Sequence, residues 1–144
     1  MAMFIGFTGE YTHTLDAKGR LALPARYRSR FEAGGVVTPG VEACLYVYPM
    51  EAWEAKARQI DEKHLNAAQR RQVERLFFGS ASELELDSQG RVTIPAKYRE
   101  RARLENEVLI VGARDRLELW NSAQYREALA QMKPEDLEGL DLPF

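Results

Sequence analysis

The sequence predicts an α+β fold made of two small modules of the same design, and three observations support this. The phrase LDAKGRLALPARYR at residues 15–28 returns as LDSQGRVTIPAKYR at residues 86–99, with eight of the fourteen positions identical. Each copy contains short runs of alternating residues, the period of a strand, and changes to helical spacing after a proline. In a chain of 144 residues, a period near 71 predicts one module in residues 1–79 and another in residues 80–144. A module this small is only marginally stable alone, so we expect the two to share a core or to borrow one from neighbouring subunits.

The first copy begins with a strand and a tight turn. Residues 11–15 alternate aromatic, imidazole and aliphatic side chains with threonines, which predicts a strand. Asp16 begins a turn, because its carboxylate can accept hydrogen bonds from amides two residues on, and Gly19 tolerates a positive φ at its end. Alternation resumes over residues 20–23. The pattern predicts a β-hairpin with Lys18 at its tip.

A proline then separates strand from helix. Pro24 biases the preceding residue towards extended geometry and fits the first turn of a helix. Tyr27 and Phe31 share one helical face at a spacing of four residues, and the pair Gly34 and Gly35 ends the helix.

The second copy repeats this order of elements. It predicts a strand in SELELD, a turn at Gln89 and Gly90, a second strand with Val92 and Ile94 facing inward, and a helix over residues 95–102.

Further strands are predicted at residues 45–48, 107–112 and 117–120, with GGVVTP at residues 34–39 as the weaker counterpart of the second of these. Helices follow two of them and carry Trp53 and Tyr125 at matching positions, the second helix with Asn121 or Ser122 as its N-cap. The segment 50–78 is helical in composition and is expected to connect the modules.

Positive charge is concentrated in the repeated phrase. The formal net charge of −2 argues against a uniformly basic surface that coats nucleic acid. Residues 16–30 nevertheless have a local balance of +4 and residues 87–103 one of +3. The compensating acidic residues lie in ASELELD and in the tail KPEDLEGLDLPF.

The composition is typical of a soluble globular protein, with 45% hydrophobic and 29% charged residues. No apolar stretch is long enough to span a bilayer, and MAMFIGFTGEY lacks the basic and long apolar regions of a secretory signal. A cytoplasmic protein without membrane contact is therefore expected. The single Cys44 is predicted to be a small buried hydrophobe.

No residue pattern supports catalysis. Asp16 and Asp87 occupy the same turn position, where Asp is commonly structural. His13 and His64 are the only histidines and leave no third metal ligand that can be placed. Neither a nucleophile elbow nor a phosphate-binding glycine loop is present. We therefore expect no enzyme, no cofactor, no metal and no small-molecule substrate.

Arg20 and Arg91 have two interpretations that do not exclude each other. An arginine at the end of a two-stranded ribbon can enter the major groove and bind guanine O6 and N7 in a bidentate manner. Alternatively, each arginine pairs with its own turn aspartate, Asp16 or Asp87, and locks the turn. Lys18 and the helix arginines would lie near phosphates in the first interpretation.

The sequence D-x-x-G-R, followed by alternating aliphatics, a proline and A-[RK]-Y-R, resembles the swapped-hairpin half-barrel of AbrB-type DNA-binding modules. Two copies in a chain of this length resemble the MraZ family of bacterial transcriptional regulators. The resemblance implies tandem half-barrels that form an intramolecular pseudo-dimeric double-split β-barrel with flanking helices. It also implies a ring-shaped homo-oligomer, associated with the nucleoid, that represses a cell-division and cell-wall gene cluster by binding direct repeats of double-stranded DNA in its promoter.

Carried over by position, the DNA-contacting motif falls on Asp16, Lys18, Arg20, Asp87 and Arg91. The expected DNA-binding set adds the turn glycines, the residue at the second turn tip and the helix cations, which are Gly19, Arg26, Arg28, Gln89, Gly90, Lys97 and Arg99. Gln89 departs from the first copy, where Lys18 stands, so the second module is expected to make a weaker phosphate contact. The main competing hypothesis is an antitoxin-like module that binds a protein.

Overall fold

The computed structural model describes residues 3–143, and within them the predicted α+β class is confirmed. The strands are β1 Glu10–Thr14, β2 Arg20–Ala22, β3 Gly35–Pro39, β4 Leu45–Pro49, β5 Ser82–Leu84, β6 Arg91–Thr93, β7 Glu107–Gly112 and β8 Leu117–Trp120. The α-helices are α1 Met50–Asp61, α2 Ala67–Val73, α3 Ala96–Arg101 and α4 Ser122–Gln131. A short π-helix, Glu74–Phe78, continues α2, and 3₁₀ helices cover Ala25–Phe31 and Pro134–Leu137.

The two halves of the chain exchange strands within one antiparallel sheet. The sheet has the order β1-β7-β8-β4-β3-β5, and β2 pairs with β6 in a separate antiparallel ribbon. β1 of the first half therefore pairs with β7 of the second, while β5 of the second half pairs with β3 of the first. Since β1 and β5 are the outer strands of the sheet, the expected double-split barrel is not closed.

The predicted β-hairpin is wrong in its pairing, although its turn forms. β1 and β2 are linked by a single bridge between Leu15 and Leu21, and each continues along a strand of the other half. The reason is burial: Leu21 and Leu23 are completely buried, and pairing β2 with β6 brings them together with the inward-facing Val92 and Ile94. GGVVTP, predicted as a weak strand, forms β3, which pairs with β4 along its whole length and with β5 over residues 35–37.

Both halves contribute to one hydrophobic core, as expected from their size. The predicted inward-facing residues of the two ribbon strands are all 2% exposed or less. The aromatic residues Phe7, Tyr27, Phe31 and Tyr98 pack in the same cluster. The hydroxyl groups of Tyr27 and Tyr98 also donate hydrogen bonds to residues that precede the first strand of their own half. Tyr27 donates to the Thr8 carbonyl at 3.1 Å, and Tyr98 donates to the Ser80 carbonyl at 2.8 Å.

The helices lie where the sequence predicts them, but they are not all α-helices. The first predicted helix is a 3₁₀ helix, whereas its counterpart α3 is α-helical. Asn121 is the N-cap of α4, accepting hydrogen bonds from the Ala123 and Gln124 amides at 2.9 and 3.2 Å. None of the helices within residues 3–143 has the length and apolar character needed to cross a bilayer.

Two aromatic pairs confirm that Trp53 and Tyr125 occupy matching positions. The ring of Trp53 lies 6.0 Å from that of Tyr48, and the ring of Tyr125 lies 5.1 Å from that of Trp120. In the connecting segment, Trp53 also stacks on Phe77 with ring centroids 4.3 Å apart.

Cys44 is buried, as predicted, and burial raises the pKa of its thiol to about 12. The thiol is therefore protonated at neutral pH and behaves as an apolar side chain.

Candidate nucleic-acid interface

The first loop, residues 16–20, is organised by one carboxylate. Asp16 Oδ1 accepts hydrogen bonds from the Lys18 and Arg20 amides at 2.9 and 2.8 Å, and Oδ2 accepts one from Arg20 Nε at 2.6 Å. Gly19 has a φ of 81°, which closes the turn at a conformation that glycine adopts without strain. The aspartate therefore fixes both the loop backbone and the direction of the arginine side chain.

The second loop, residues 87–91, repeats this arrangement closely. Asp87 Oδ1 accepts from the Gln89 and Arg91 amides, both at 2.9 Å, and Oδ2 accepts from Arg91 Nε at 2.8 Å. Gly90 has a φ of 74°. Two loops of equal geometry are thus present, one in each half of the chain.

Hydrogen bonding lowers the pKa of both aspartates below the ordinary value. The largest cause for Asp16 is the backbone amide of Arg20, and the Arg20 side chain adds to it. The amide and side chain of Arg91 act in the same way on Asp87. Both carboxylates are therefore ionised at neutral pH, which suits a structural role and a charged acceptor for arginine.

The interpretation that each arginine locks its own turn is confirmed by these contacts. A guanidinium carries five N–H donors, however, and the aspartate uses the one on Nε. The side chains of Arg20 and Arg91 remain 35% and 26% exposed. Each arginine is thus held by its Nε while part of its side chain stays accessible to a second acceptor.

Strand register places both arginines on the same face of the β2–β6 ribbon. Arg20 lies opposite Thr93, and Arg91 lies opposite Ala22, with Leu21 opposite Val92 between them. Because alternate residues point to opposite faces, burial of the central pair directs both arginines to the outer face. Diagonal neighbours in such a ribbon have Cα atoms about 7–8 Å apart, so the two arginines leave the same face, each with its side chain held by the aspartate of its own loop.

The helix cations fall into two kinds. Arg26 and Lys97 are exposed and lie over the rings of their neighbouring tyrosines, at 5.3 and 5.0 Å from the centroids. Arg28 and Arg99 are only partly exposed, and each donates from Nε to a carbonyl at the end of its own ribbon strand. The acceptors are Leu23, at 3.1 Å, and Ile94, at 3.0 Å.

Arg28 and Arg99 also lie against the loop of the opposite half. The space beside the Gly90 Cα is filled by Arg28, and the space beside the Gly19 Cα is filled by Arg99 and the Ile94 carbonyl. Sequence reasoning missed these contacts, because they depend on the strand exchange. The signal available was that a glycine and a later arginine are kept at the same spacing in both copies.

Two further residues near the loops were not predicted from the sequence to lie at the site. Thr93 is exposed on the arginine face of the ribbon, directly opposite Arg20, whereas the first half has Ala22 at the equivalent place. His13 Nδ1 lies 2.6 Å from the Ala22 carbonyl and links β1 to the ribbon. Among residues 3–143, no group of three or more His, Cys, Asp or Glu side chains could hold a metal ion.

Comparison with known proteins gives a consistent result over nearly the whole chain. The family described as "MraZ protein, putative antitoxin-like" matches twice, over residues 6–76 and 77–140. A relative from Moorella thermoacetica, named Transcriptional regulator MraZ, is 43% identical over 84% of this chain and 85% of its own length. Proteins of the same name are 42% identical in Lactiplantibacillus plantarum, over 84% of this chain and 86% of the relative, and 41% identical in Heliobacterium modesticaldum, over 93% and 96%. A double family match and this level of identity show that the chain belongs to the MraZ family.

Proposed function

We propose that the protein is a sequence-specific DNA-binding transcriptional regulator, and in particular a repressor of a cell-division and cell-wall gene cluster that binds direct repeats in the promoter. Its relatives are named transcriptional regulators, which supports regulation rather than catalysis. The observation that carries the proposal is the common outward face of Arg20 and Arg91, each held by an ionised aspartate.

Base reading is assigned to these two arginines. A two-stranded ribbon fits the major groove, where arginine recognises guanine in a bidentate manner with about 1–3 kcal/mol of discrimination. Since Asp16 and Asp87 already fix the side chains, less conformational entropy is lost on binding. Thr93 is exposed on the same face, and its hydroxyl is proposed to contact a neighbouring base edge.

Affinity is assigned to the surrounding cations, which meet phosphates. Lys18 does this at the tip of the first loop, while Gln89 offers no charge at the second. Arg26 and Lys97 are the accessible helix cations, and Arg28 and Arg99 complete the proposed set. The two loops therefore contribute unequally to phosphate binding.

The proposed architecture is an AbrB-like pseudo-dimer, with modules in residues 1–79 and 80–144. Support comes from the matched exchange of β1 and β5 between the halves and from the ribbon shared by β2 and β6. We further propose that the chain forms a cytoplasmic, nucleoid-associated homo-oligomer in the shape of a ring. Repeated loops on such an assembly would match repeated DNA sites and raise avidity through effective concentration.

A gel-shift titration on the promoter upstream of the protein's own gene tests the proposal. Arg20→Ala should abolish specific binding while circular dichroism and the elution volume stay unchanged, and Arg91→Ala should be comparable or milder. Arg126→Ala removes an equal charge from the exposed surface of α4 and serves as the control. Normal promoter binding by Arg20→Ala would show that the site is wrongly assigned.

A second candidate function is an antitoxin-like module that binds a protein, since the family description contains the term antitoxin-like. This role predicts that a partner protein co-purifies at a fixed stoichiometry. It also predicts that Arg20→Ala leaves transcription from the promoter unchanged. Two partly exposed arginines on one face favour a duplex as the partner, because a guanidinium group suits guanine edges and phosphates.

A further inference from the structure

Each loop is in contact with an arginine from the other half of the chain. We propose that Arg28 and Arg99 are positioning residues, Arg28 for the second loop and Arg99 for the first, so that each module sets the loop geometry of its opposite. The consequence for base recognition rests on the proposed DNA-binding function, whereas the positioning itself does not.

The first argument is a chain of hydrogen bonds that crosses between the halves. The Leu23 amide donates to the Gly90 carbonyl at 3.1 Å, and the Leu23 carbonyl accepts from Arg28 Nε at 3.1 Å. One residue thus joins the second loop to an arginine of the first half.

The same arrangement occurs in the reverse direction. The Ile94 amide donates to the Gly19 carbonyl at 2.8 Å, and the Ile94 carbonyl accepts from Arg99 Nε at 3.0 Å. The crossed link therefore occurs twice, once in each direction between the halves.

The second argument is the close approach of each arginine to a glycine. A Cβ on Gly90 would come within 2.5 Å of Arg28 Cδ, and one on Gly19 would lie 3.0 Å from Arg99 Nε. Both glycines have a positive φ and are the last residues of the turns before Arg91 and Arg20. Arg28 and Arg99 therefore cover the glycine that directly precedes the proposed base-reading arginine of each loop.

The third argument separates these arginines from ordinary phosphate contacts. Arg26 and Lys97, on the same two helices, are exposed and contact only their own tyrosines among the interactions described. Arg28 and Arg99 are partly buried, and their Nε groups are committed to carbonyls. A planar guanidinium can lie flat on a glycine while donating from its edge, which an ammonium cannot do.

Hydrogen exchange measured by NMR on the full chain tests this directly. Arg28→Ala should accelerate exchange of the Gln89 and Arg91 amides by roughly tenfold, the effect of losing about one hydrogen bond, and leave the Lys18 and Arg20 amides unchanged. Arg99→Ala should give the reverse pattern. Arg26→Ala and Lys97→Ala are the matched controls, and both should leave the exchange of either loop unchanged.

A lysine substitution separates positioning from charge. Arg28→Lys should accelerate hydrogen exchange of the second-loop amides nearly as much as Arg28→Ala does, although lysine keeps the positive charge. The proposal is overturned if Arg28→Ala loosens the first loop instead, if both loops respond equally, if neither responds, or if lysine restores the protection.

A second experiment tests the consequence for base recognition. A duplex is selected from random sequences by binding to the unmodified protein, and the affinity is then measured after each of its base pairs is substituted in turn. Arg28→Ala should relax discrimination at the positions that Arg91→Ala relaxes, and Arg99→Ala at those that Arg20→Ala relaxes. A loss of affinity that is uniform across all substituted duplexes, with no base pair at which discrimination is relaxed, would contradict the crossed assignment. If no duplex is enriched while the exchange pattern is crossed, the DNA-binding proposal fails and the positioning role stands.

Discussion

Arg28 packs against Gly90, although the two residues belong to opposite halves of the repeat. The reciprocal contact joins Arg99 to Gly19, and both depend on the ribbon in which β2 pairs with β6. Each loop, with the arginine that we propose to read bases, is therefore in contact with a side chain that its own module does not supply. The duplication in this chain thus has a structural consequence, since each loop is in contact with the other copy.

Gly90→Ala is expected to lower the free energy of unfolding by about 1–3 kcal/mol, because a side chain at positive φ is strained and the new Cβ meets Arg28. Urea unfolding measures the change. In a double-mutant cycle with Arg28→Ala, the loss should be partly recovered, since the contacting side chain is gone. Strict additivity of the two substitutions would show that the contact is absent.

The stability lost in Gly19→Ala should be recovered less by adding Arg99→Ala than in the equivalent pair of the second loop. There, Arg28→Ala should recover more of the stability lost in Gly90→Ala. The nearest atom to a Cβ on Gly19 is the backbone carbonyl of Ile94, at 2.8 Å, and truncating a side chain does not move it. The same unfolding cycle gives both coupling energies. Equal coupling in the two cycles would contradict this difference between the loops.

The pH dependence of the loops follows from the lowered pKa values of Asp16 and Asp87. A carboxyl whose folded pKa lies below its unfolded value contributes stability above the unfolded pKa, and this is lost as the pH falls through the folded pKa. We therefore expect the Lys18 and Arg20 amides to stay protected as the pH falls to 3.8, the ordinary value of the carboxyl pKa, and to lose protection as the pH falls further.

Carboxyl titration by NMR is the measurement, and the midpoint of Asp16 should lie below its ordinary value of 3.8. Asp16→Asn should remove the acid-induced loosening of the first loop and leave that of the second loop. A midpoint at or above 3.8 would mean that the hydrogen bonds to Asp16 are not formed in solution.

Leu21→Ala and Ile94→Ala should each lower the free energy of unfolding by about 2–5 kcal/mol, because both side chains are completely buried. They come from opposite halves but share one core, so each substitution should shift a single cooperative transition of the whole chain. Thr93→Ala, on the exposed side of the same ribbon, should change stability by less than about 0.5 kcal/mol. Two separable unfolding transitions would contradict the shared core.

The unequal loop tips predict a difference in salt dependence. Lys18→Ala should reduce the slope of log affinity against log salt by about 1, because one phosphate contact is lost. Gln89→Lys should increase the slope by about the same amount and strengthen binding at low salt. The titration is made from low to moderate salt on one duplex. No change of slope in either variant would show that the loop tips do not face phosphates.

The sequence was sufficient to predict the repeat, the loops and the inward-facing residues of the ribbon. Asp16 and Gly19 restrict the local backbone strongly, and the alternation of Leu21 and Leu23 reports burial directly. These are local properties, and the structure agrees with them.

Strand pairing could not be predicted in the same way. Alternation shows which face of β1 is buried but not which strand it joins, and the hairpin was expected because sequential strands often pair. The crossed contacts of Arg28 and Arg99 follow from that pairing. The sequence alone therefore predicts only phosphate contacts for these two arginines. Pairing between distant segments depends on the whole core, which no single motif encodes.

Guanine methylation interference on the promoter repeats tests the central claim most directly, because a methyl group on N7 blocks arginine in the major groove. Each repeat should contain guanines whose methylation prevents binding by the unmodified protein. In Arg20→Ala one set of these guanines should become insensitive, and in Arg91→Ala a different set, while the sensitivity of the remaining guanines persists. If both variants retain the full interference pattern, the two arginines do not read the bases and the account is contradicted.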